Sequence, residues 1–311
     1  MPPRLASAQA PSGAAVVVRR ADDRFLLLHR GAGVVEPSDP AGDWEWTPPS
    51  GKRRRDEPVL TCAHRELAEE TGITGVELWP VDLSGWWSHF AVDVPVDTPV
   101  TVDHDHDGYE WLALAPALTR LSPSRVAEGV RRAALVPRAS IDFRPLTYHD
   151  LPRMVAWRQA PHAARWFGER LDLHAAEVKY GPRIDGTSHV RVAVVLVDGH
   201  PCGYIQHYRV ADEDAYAAAT GTPDAVAIDY TIGVPDLAGR GLGPRVIWSY
   251  LRDVVLTAYP DVTRVVASPD VDNERSLRVL DKAGFRRVRP IPTPQPELLC
   301  VLDRARVFGP A

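Results

Sequence analysis

Three glutamates, Glu66, Glu69 and Glu70, stand at i, i+3 and i+4 in residues 59–70, whose composition predicts a helix closed by Gly72. That spacing places the three carboxylates on one face, with Leu60, Ala63 and Leu67 forming the opposite, buried side. Like charges held so close repel. A hard divalent cation, Mg²⁺ above all, relieves that repulsion and bridges to substrate phosphates. An acidic, solvent-facing helix is the alternative. A second candidate is the turn Gly239-Arg240-Gly241-Leu242-Gly243, which follows a predicted strand over 227–234 and precedes a helix that Pro244 opens. Val246, Ile247, Tyr250, Leu251, Val254 and Val255 give that helix one apolar stripe. Glycines before a helix N-terminus leave backbone N–H groups free to cradle a pyrophosphate, although a plain strand–helix connection has the same composition. The turn is not a dinucleotide fingerprint, because its third glycine is replaced.

The chain has 311 residues, about two domains' worth. Hydrophobic residues make up 45% and charged residues 25%, which excludes wholesale disorder. A net charge of −5 argues against a nucleic-acid polymer or a membrane surface as partner. No apolar run approaches the roughly 20 residues of a membrane span, and the N-terminus does not read as a secretory signal. Three scattered cysteines, Cys62, Cys202 and Cys300, make no disulfide framework or metal knuckle; they predict small apolar fillers in a reducing cytoplasm. Pro137 marks a seam, with one domain over 1–136, a linker over 137–140 and a second domain over 141–311. Strands alternate with helices in both halves, which predicts mixed α/β (α+β) folds. Among the other conspicuous residues, Trp44, Trp46, Trp86 and Trp87 offer stacking surfaces or ordinary core. The run 103–107 (DHDHD) reads as a polar loop before a strand, with one carboxylate in reach of the glutamates, and 52–55 (KRRR) as a solvated turn.

The first motif resembles the Nudix hydrolases at every defined position of G-x5-E-x7-R-E-U-x-E-E-x-G-U, filled by Gly51, Glu57, Arg65, Glu66, Leu67, Glu69, Glu70, Gly72 and Ile73. The resemblance implies an α/β/α sandwich over about 13–134 and Mg²⁺ (or Mn²⁺)-dependent hydrolysis of a nucleoside diphosphate derivative. By it, Glu69 and Glu70 hold the metal with the Ser50 carbonyl, and Glu66 ligates it or takes a proton from the attacking water. Arg65 orients a carboxylate, and Glu57 pairs with it or joins the metal shell. A nucleotide sensor or structural module is the alternative role for this half.

The second half is similar to the GCN5-related N-acetyltransferases (GNAT), and among them to the aminoglycoside 6′-N-acetyltransferases. The resemblance is carried by Gly203-Tyr204-Ile205-Gln206, Ile228-Asp229, the glycine turn, Asn273 and Lys282-Ala283-Gly284-Phe285. It implies a mixed β-sheet flanked by helices, acetyl-CoA as cofactor, and a small-molecule amine acceptor of the aminoglycoside type, hence antibiotic resistance. It places pantetheine on the amides of Ile232 and Val234. It places the diphosphate on those of Arg240, Gly241, Leu242, Gly243, Pro244 and Arg245, with Asn273 near the thiol. Asp229 is the expected base, and Trp157, Trp166, Tyr204, Gln206, Tyr208 and Asp270 are the expected acceptor wall. Three residues depart from the family: Ala238 replaces a Gln or Arg, Leu280 replaces the tyrosine that protonates the leaving thiolate, and Ser268 replaces a substrate-binding Asp. A siderophore-type hydroxylysine acyltransferase is the alternative, with His207 as base.

Overall fold

The computed structural model describes residues 11–31, 44–167 and 170–311. The first half builds one sheet from β1 (Gly13–Arg20), β2 (Arg24–Arg30), β3 (Trp46–Thr47), β4 (Ser50–Lys52), β5 (Trp79–Asp82), β6 (Trp87–Val94) and β7 (His106–Ala113), with α1 (Val59–Thr71), α2 (Leu114–Arg120) and α3 (Ser124–Leu135). Strand order is β3-β2-β1-β6-β5, with β7 added to β2 and β4 to β1. Alternation along β1 explains the layers. Val16 and Val18 pack with α1, while Val17 points to the opposite face with residues of α2 and α3. Helix α1 ends where Gly72 enters the left-handed region at φ 70° and returns its N–H to the Ala68 carbonyl.

The second half contains β8 (Ile141–Pro145), α4 (Leu151–Gln159), α5 (Leu173–Ile184), β9 (Arg191–Val197), β10 (His200–Arg209), α6 (Asp214–Thr220), β11 (Val226–Ile232) and α7 (Leu242–Tyr250). It continues through α8 (Leu256–Ala258), β12 (Arg264–Ala267), α9 (Glu274–Lys282), β13 (Arg286–Ile291), β14 (Glu297–Asp303) and α10 (Arg304–Val307). Its sheet runs β13-β14-β12-β11-β10-β9-β8. The decisive feature is the parallel pair β11 and β12. They meet only at Val226↔Val265 and Ala227↔Val266, after which β11 continues to Ile232 paired with β10 but no longer with β12. That splay opens the sheet beside the N-terminus of α7. The apolar stripe predicted as one helix is divided: α7 gives way to a π turn over Leu251–Val255. Pro244 does not open α7, which begins two residues earlier. It sits in the first turn, where its missing N–H has no partner to lose.

The halves share a core. Phe90 of β6 meets Trp248 of α7 edge-on at 5.6 Å, and Phe308 lies 4.4 Å beyond it. Arg245 donates to the linker carbonyls of Pro137 and Ala139 at 2.9 and 3.0 Å and stands 4.6 Å from the Trp79 ring. The Leu83 N–H bonds the Lys282 carbonyl at the end of α9. Among the described residues no helix is long and apolar enough to cross a membrane.

Candidate functional site

On α1, Arg65 answers much of the repulsion expected among the glutamates. Its Nε and Nη2 donate to Glu57, while Nη1 donates to Glu66 at 2.7 Å and to Glu69 at 2.9 Å. Arg54 adds a second cation on Glu69 at 3.1 Å. Glu57, held by Arg65, is lowered to about 2. Glu66 is 7% exposed, and burial raises its carboxyl against the pull of Arg65. Glu70 is pushed up to about 8 by burial, with Glu66 and Asp103 adding repulsion and the Ser50 N–H opposing it. That N–H donates to Glu70 Oε2 at 2.7 Å, so Ser50 meets the carboxylates through its amide, whereas the expected role was for its carbonyl. A Cβ at Gly51 would lie 2.1 Å from the Glu66 carboxyl carbon, so a side chain there displaces that carboxylate from its place on Arg65.

The hard oxygen donors fit a cation at Glu66 and Glu70, where Glu66 Oε2 and Glu70 Oε1 accept no hydrogen bond among the described residues. Glu69 fits only after release from Arg65 and Arg54. Among the described residues no three His, Cys, Asp or Glu side chains are gathered into a ready-made metal site. Ser50, Gly51 and Lys52 border a cavity of about 820 Å³ walled by Trp44, Trp86, Trp87, His89 and Arg125. Arg125 stands 4.7 Å from the Trp44 ring, and Trp86 is 59% exposed at the rim. Trp46 does not line the cavity; it packs with His29 and Arg120. The 103–107 run also divides: His106 is buried against Asp103, and Asp107 bonds His29.

In the second half, the splayed strands and the turn before α7 enclose a cleft of about 620 Å³. Gly239, Gly241, Gly243 and Pro244 line it, with Gly239 and Gly241 at φ 82° and 80°, conformations natural to glycine. Asp229 projects from β11 into this cleft. Solvent reaches it, yet surrounding protein raises its carboxyl, opposed by a hydrogen bond from Gln206 and by the charges of Arg183 and Lys179. Gln206 donates to Asp229 Oδ2 at 2.8 Å and accepts from Arg183 at 2.6 Å, so an arginine fixes which way the amide faces. Trp166, Tyr204, Gln206, Ile232, Asp270 and Asn273 all line the cleft. Asn273 also caps α9, accepting from the Ser276 N–H at 3.1 Å.

Several expected residues are otherwise engaged or lie outside the cleft lining. The Val234 N–H is bonded to the Cys202 carbonyl at 3.1 Å and is not free for pantetheine. Pro244 has no N–H to offer. Arg240, Leu242 and Arg245 are outside the cleft lining, and the Arg245 side chain serves the linker. Trp157 is 6% exposed, fills the space beside Gly233 and is core; Tyr208 lies further along β10 against Tyr216. His207 points to the other face of β10, where it is buried on Tyr250 Oη at 2.6 Å and lowered to about 4 by desolvation. The hydroxylysine reading therefore loses its base. Leu280 and Ser268 do line the cleft, the latter bonded to Tyr216 at 2.7 Å. Sequence reasoning did not single out Glu297, Arg158 or Tyr180, which the fold brings to this cleft from β14, α4 and α5.

Two family models divide the chain at the same place: a NUDIX domain matches residues 10–131 and an acetyltransferase (GNAT) domain matches 147–293. The chain joins a NUDIX domain to a GNAT domain. The GNAT half is 25% identical over 186 residues to aminoglycoside N(6′)-acetyltransferase type 1 of Klebsiella pneumoniae, covering 58% of this chain and 92% of that protein. A kanamycin resistance protein of Rhizobium radiobacter is 27% identical over 86 residues, covering 28% of this chain and 78% of that one. A crystal structure of an aminoglycoside acetyltransferase in complex with coenzyme A superposes with a TM-score of 0.50 at 28% identity, covering 54% of this chain and 96% of that chain.

Proposed function

We propose that the GNAT domain transfers an acetyl group from acetyl-CoA to an amine of an aminoglycoside-like acceptor, at a 6′-type position, as a resistance activity in the cytoplasm. The observation that carries this reading is a carboxylate, Asp229, held by the Gln206–Arg183 pair in the same cleft as the glycine turn. Amides at a helix N-terminus suit the diphosphate of a coenzyme. Asp229 removes a proton from the acceptor ammonium, and its raised pKa brings it nearer the operating pH. The freed nitrogen lone pair attacks the thioester carbonyl; the N–C bond forms, the C–S bond breaks, and the proton the nitrogen still has to lose passes through water to the leaving thiolate. Gln206 and Arg183 hold the Asp229 carboxylate in one orientation for that proton transfer. Asp270 and Glu297 add negative charge that suits a polycation. Similarity to the Klebsiella enzyme supports the acceptor class.

The NUDIX domain is read as a Mg²⁺- or Mn²⁺-dependent hydrolase of a nucleoside diphosphate derivative. Glu66 and Glu70 would hold the ion, which when bound activates water and neutralises diphosphate charge. Arg65 keeps Glu57, Glu66 and Glu69 in register, the Ser50 N–H orients Glu70, and Lys52 and Arg30 at the cavity suit phosphate oxygens. The test is a screen of acetyl-CoA with an aminoglycoside panel, read as free CoA and acetylated product by mass spectrometry. Release with no amine in the panel overturns the transferase reading. Mg²⁺-dependent nucleotide cleavage that Glu70→Gln leaves intact overturns the hydrolase reading.

A further inference from the structure

The transferase cleft holds a positive charge that neither half of this reading uses. Arg158, in the last turn of α4, is 8% exposed and lines the cleft with Tyr180 and Tyr204. Its nearest acceptors, Tyr180 Oη at 3.4 Å and the Phe167 carbonyl at 3.5 Å, lie at the outer limit of hydrogen bonding. Among the described residues Nε has no hydrogen-bond partner and no carboxylate forms an ion pair with the guanidinium. The Phe167 ring, 4.3 Å away, supplies the remaining contact. Arg19, the other buried arginine among the described residues, is answered by an acid: 3% exposed, it is bidentate on Asp93 at 2.6 and 3.0 Å.

An arginine cannot shed its proton to escape burial, and an unpaired buried charge is strongly destabilising. Such an arrangement persists where a ligand supplies the counter-charge. The acids of the cleft, Asp229, Asp270 and Glu297, come from β11, β14 and the Asp270 segment, whereas Arg158 stands on α4. We propose that Arg158 is the receptor for a carboxylate carried by one of the two substrates, either the amine acceptor or the acyl group of the CoA donor. The planar fork of guanidinium N–H groups matches a carboxylate bidentately. The inference rests on acyl transfer in this cleft and goes beyond the aminoglycoside and acetyl-CoA pair, neither of which brings a carboxylate to the reacting end. The Arg158 end serves a substrate that does, as in an amino acid that carries a side-chain amine or in a dicarboxylic acyl-CoA.

Calorimetric titration of the full chain separates the two sources. L-lysine is compared with 1,5-diaminopentane on protein saturated with coenzyme A, and succinyl-CoA is compared with acetyl-CoA on free protein. One carboxylate-bearing member is expected to bind at least tenfold tighter than its counterpart, and the pair that shows this names the source. Arg158→Met is expected to reduce the preference below twofold and Arg158→Lys to keep part of it, because the charge remains without the fork. Equal affinities in both pairs overturn the proposal, as does a preference that Arg158→Met retains. Melting temperature distinguishes a structural role. Removing an unpaired buried charge is expected to raise it, and a fall of several degrees or a failure to fold makes Arg158 a strut and overturns the proposal. CoA release with kanamycin tests the transferase reading independently: its absence alongside an Arg158-dependent carboxylate preference sinks that reading alone.

Discussion

Glu297 is held at the head of β14, where it pairs with Asp270 across an isolated bridge and faces Asp229 over the cleft. Burial first, then the charges of Asp229 and Asp270, raise its carboxyl from an ordinary 4.5 to about 7. The native state therefore binds this proton more tightly than the unfolded chain. The stability it contributes is complete below about pH 4.5 and is lost as pH rises through about 7. At about 1.4 kcal/mol per tenfold change in proton affinity, the difference between 4.5 and 7 amounts to roughly 3 kcal/mol. Solvent screening of a half-buried group reduces the expected effect to about 1–2 kcal/mol. Glu297→Gln should thus match wild type at pH 4.5 and exceed it by that amount at pH 8, measured by urea unfolding without coenzyme A. A difference that is the same at both pH values, or a variant less stable at pH 8, would refute the reasoning.

Other outcomes follow from the same contacts. Gly51→Ala drives a methyl into the Glu66 carboxylate, so Mg²⁺-dependent hydrolysis should fall at least 100-fold while acetyl transfer stays within twofold; unchanged hydrolysis would contradict the placement of Glu66. Trp248→Ala empties the fully buried contact between Phe90 and Phe308 and should cost about 3–5 kcal/mol. Because that core spans both domains, circular dichroism and the intrinsic fluorescence of each half should report the loss together; a change confined to one half would contradict a shared core. The rate of acetyl transfer should rise with pH along a limb whose midpoint lies above the ordinary aspartate value, because burial raises Asp229; a midpoint at or below that value would remove Asp229 from the proton transfer.

The helix of glutamates and the glycine turn were legible because both are local. Spacing of i, i+3 and i+4 fixes a helix face without knowledge of the fold, and glycines before an apolar stripe mark a helix start. The alternation of β10 likewise groups Tyr204, Gln206 and Tyr208 against Ile205 and His207. It does not say which helix covers which face, so His207 went under α7 and Tyr208 past the end of the cleft. The amide of Arg245 read as a phosphate ligand from its position after the glycine turn, whereas nothing local announced that its side chain would hold the linker carbonyls of Pro137 and Ala139. Trp157 had the composition of a binding wall, and only the gap beside Gly233 shows that it is core. Glu297 and Arg158 gave no local signal, since their neighbours come from segments far apart in the chain.

The central claim is that Asp229 takes a proton from an amine acceptor in a cleft that presents acetyl-CoA to it. The most direct measurement is amine-dependent release of CoA from acetyl-CoA by wild-type protein and by Asp229→Asn, with kanamycin as acceptor and coenzyme A binding followed in parallel. Wild type is expected to release CoA and form acetylated product, and Asp229→Asn to bind coenzyme A with unchanged affinity while turnover drops at least 100-fold, within the range attributed to general-base catalysis. Full activity in the variant, or no kanamycin-dependent release by wild type, would contradict it.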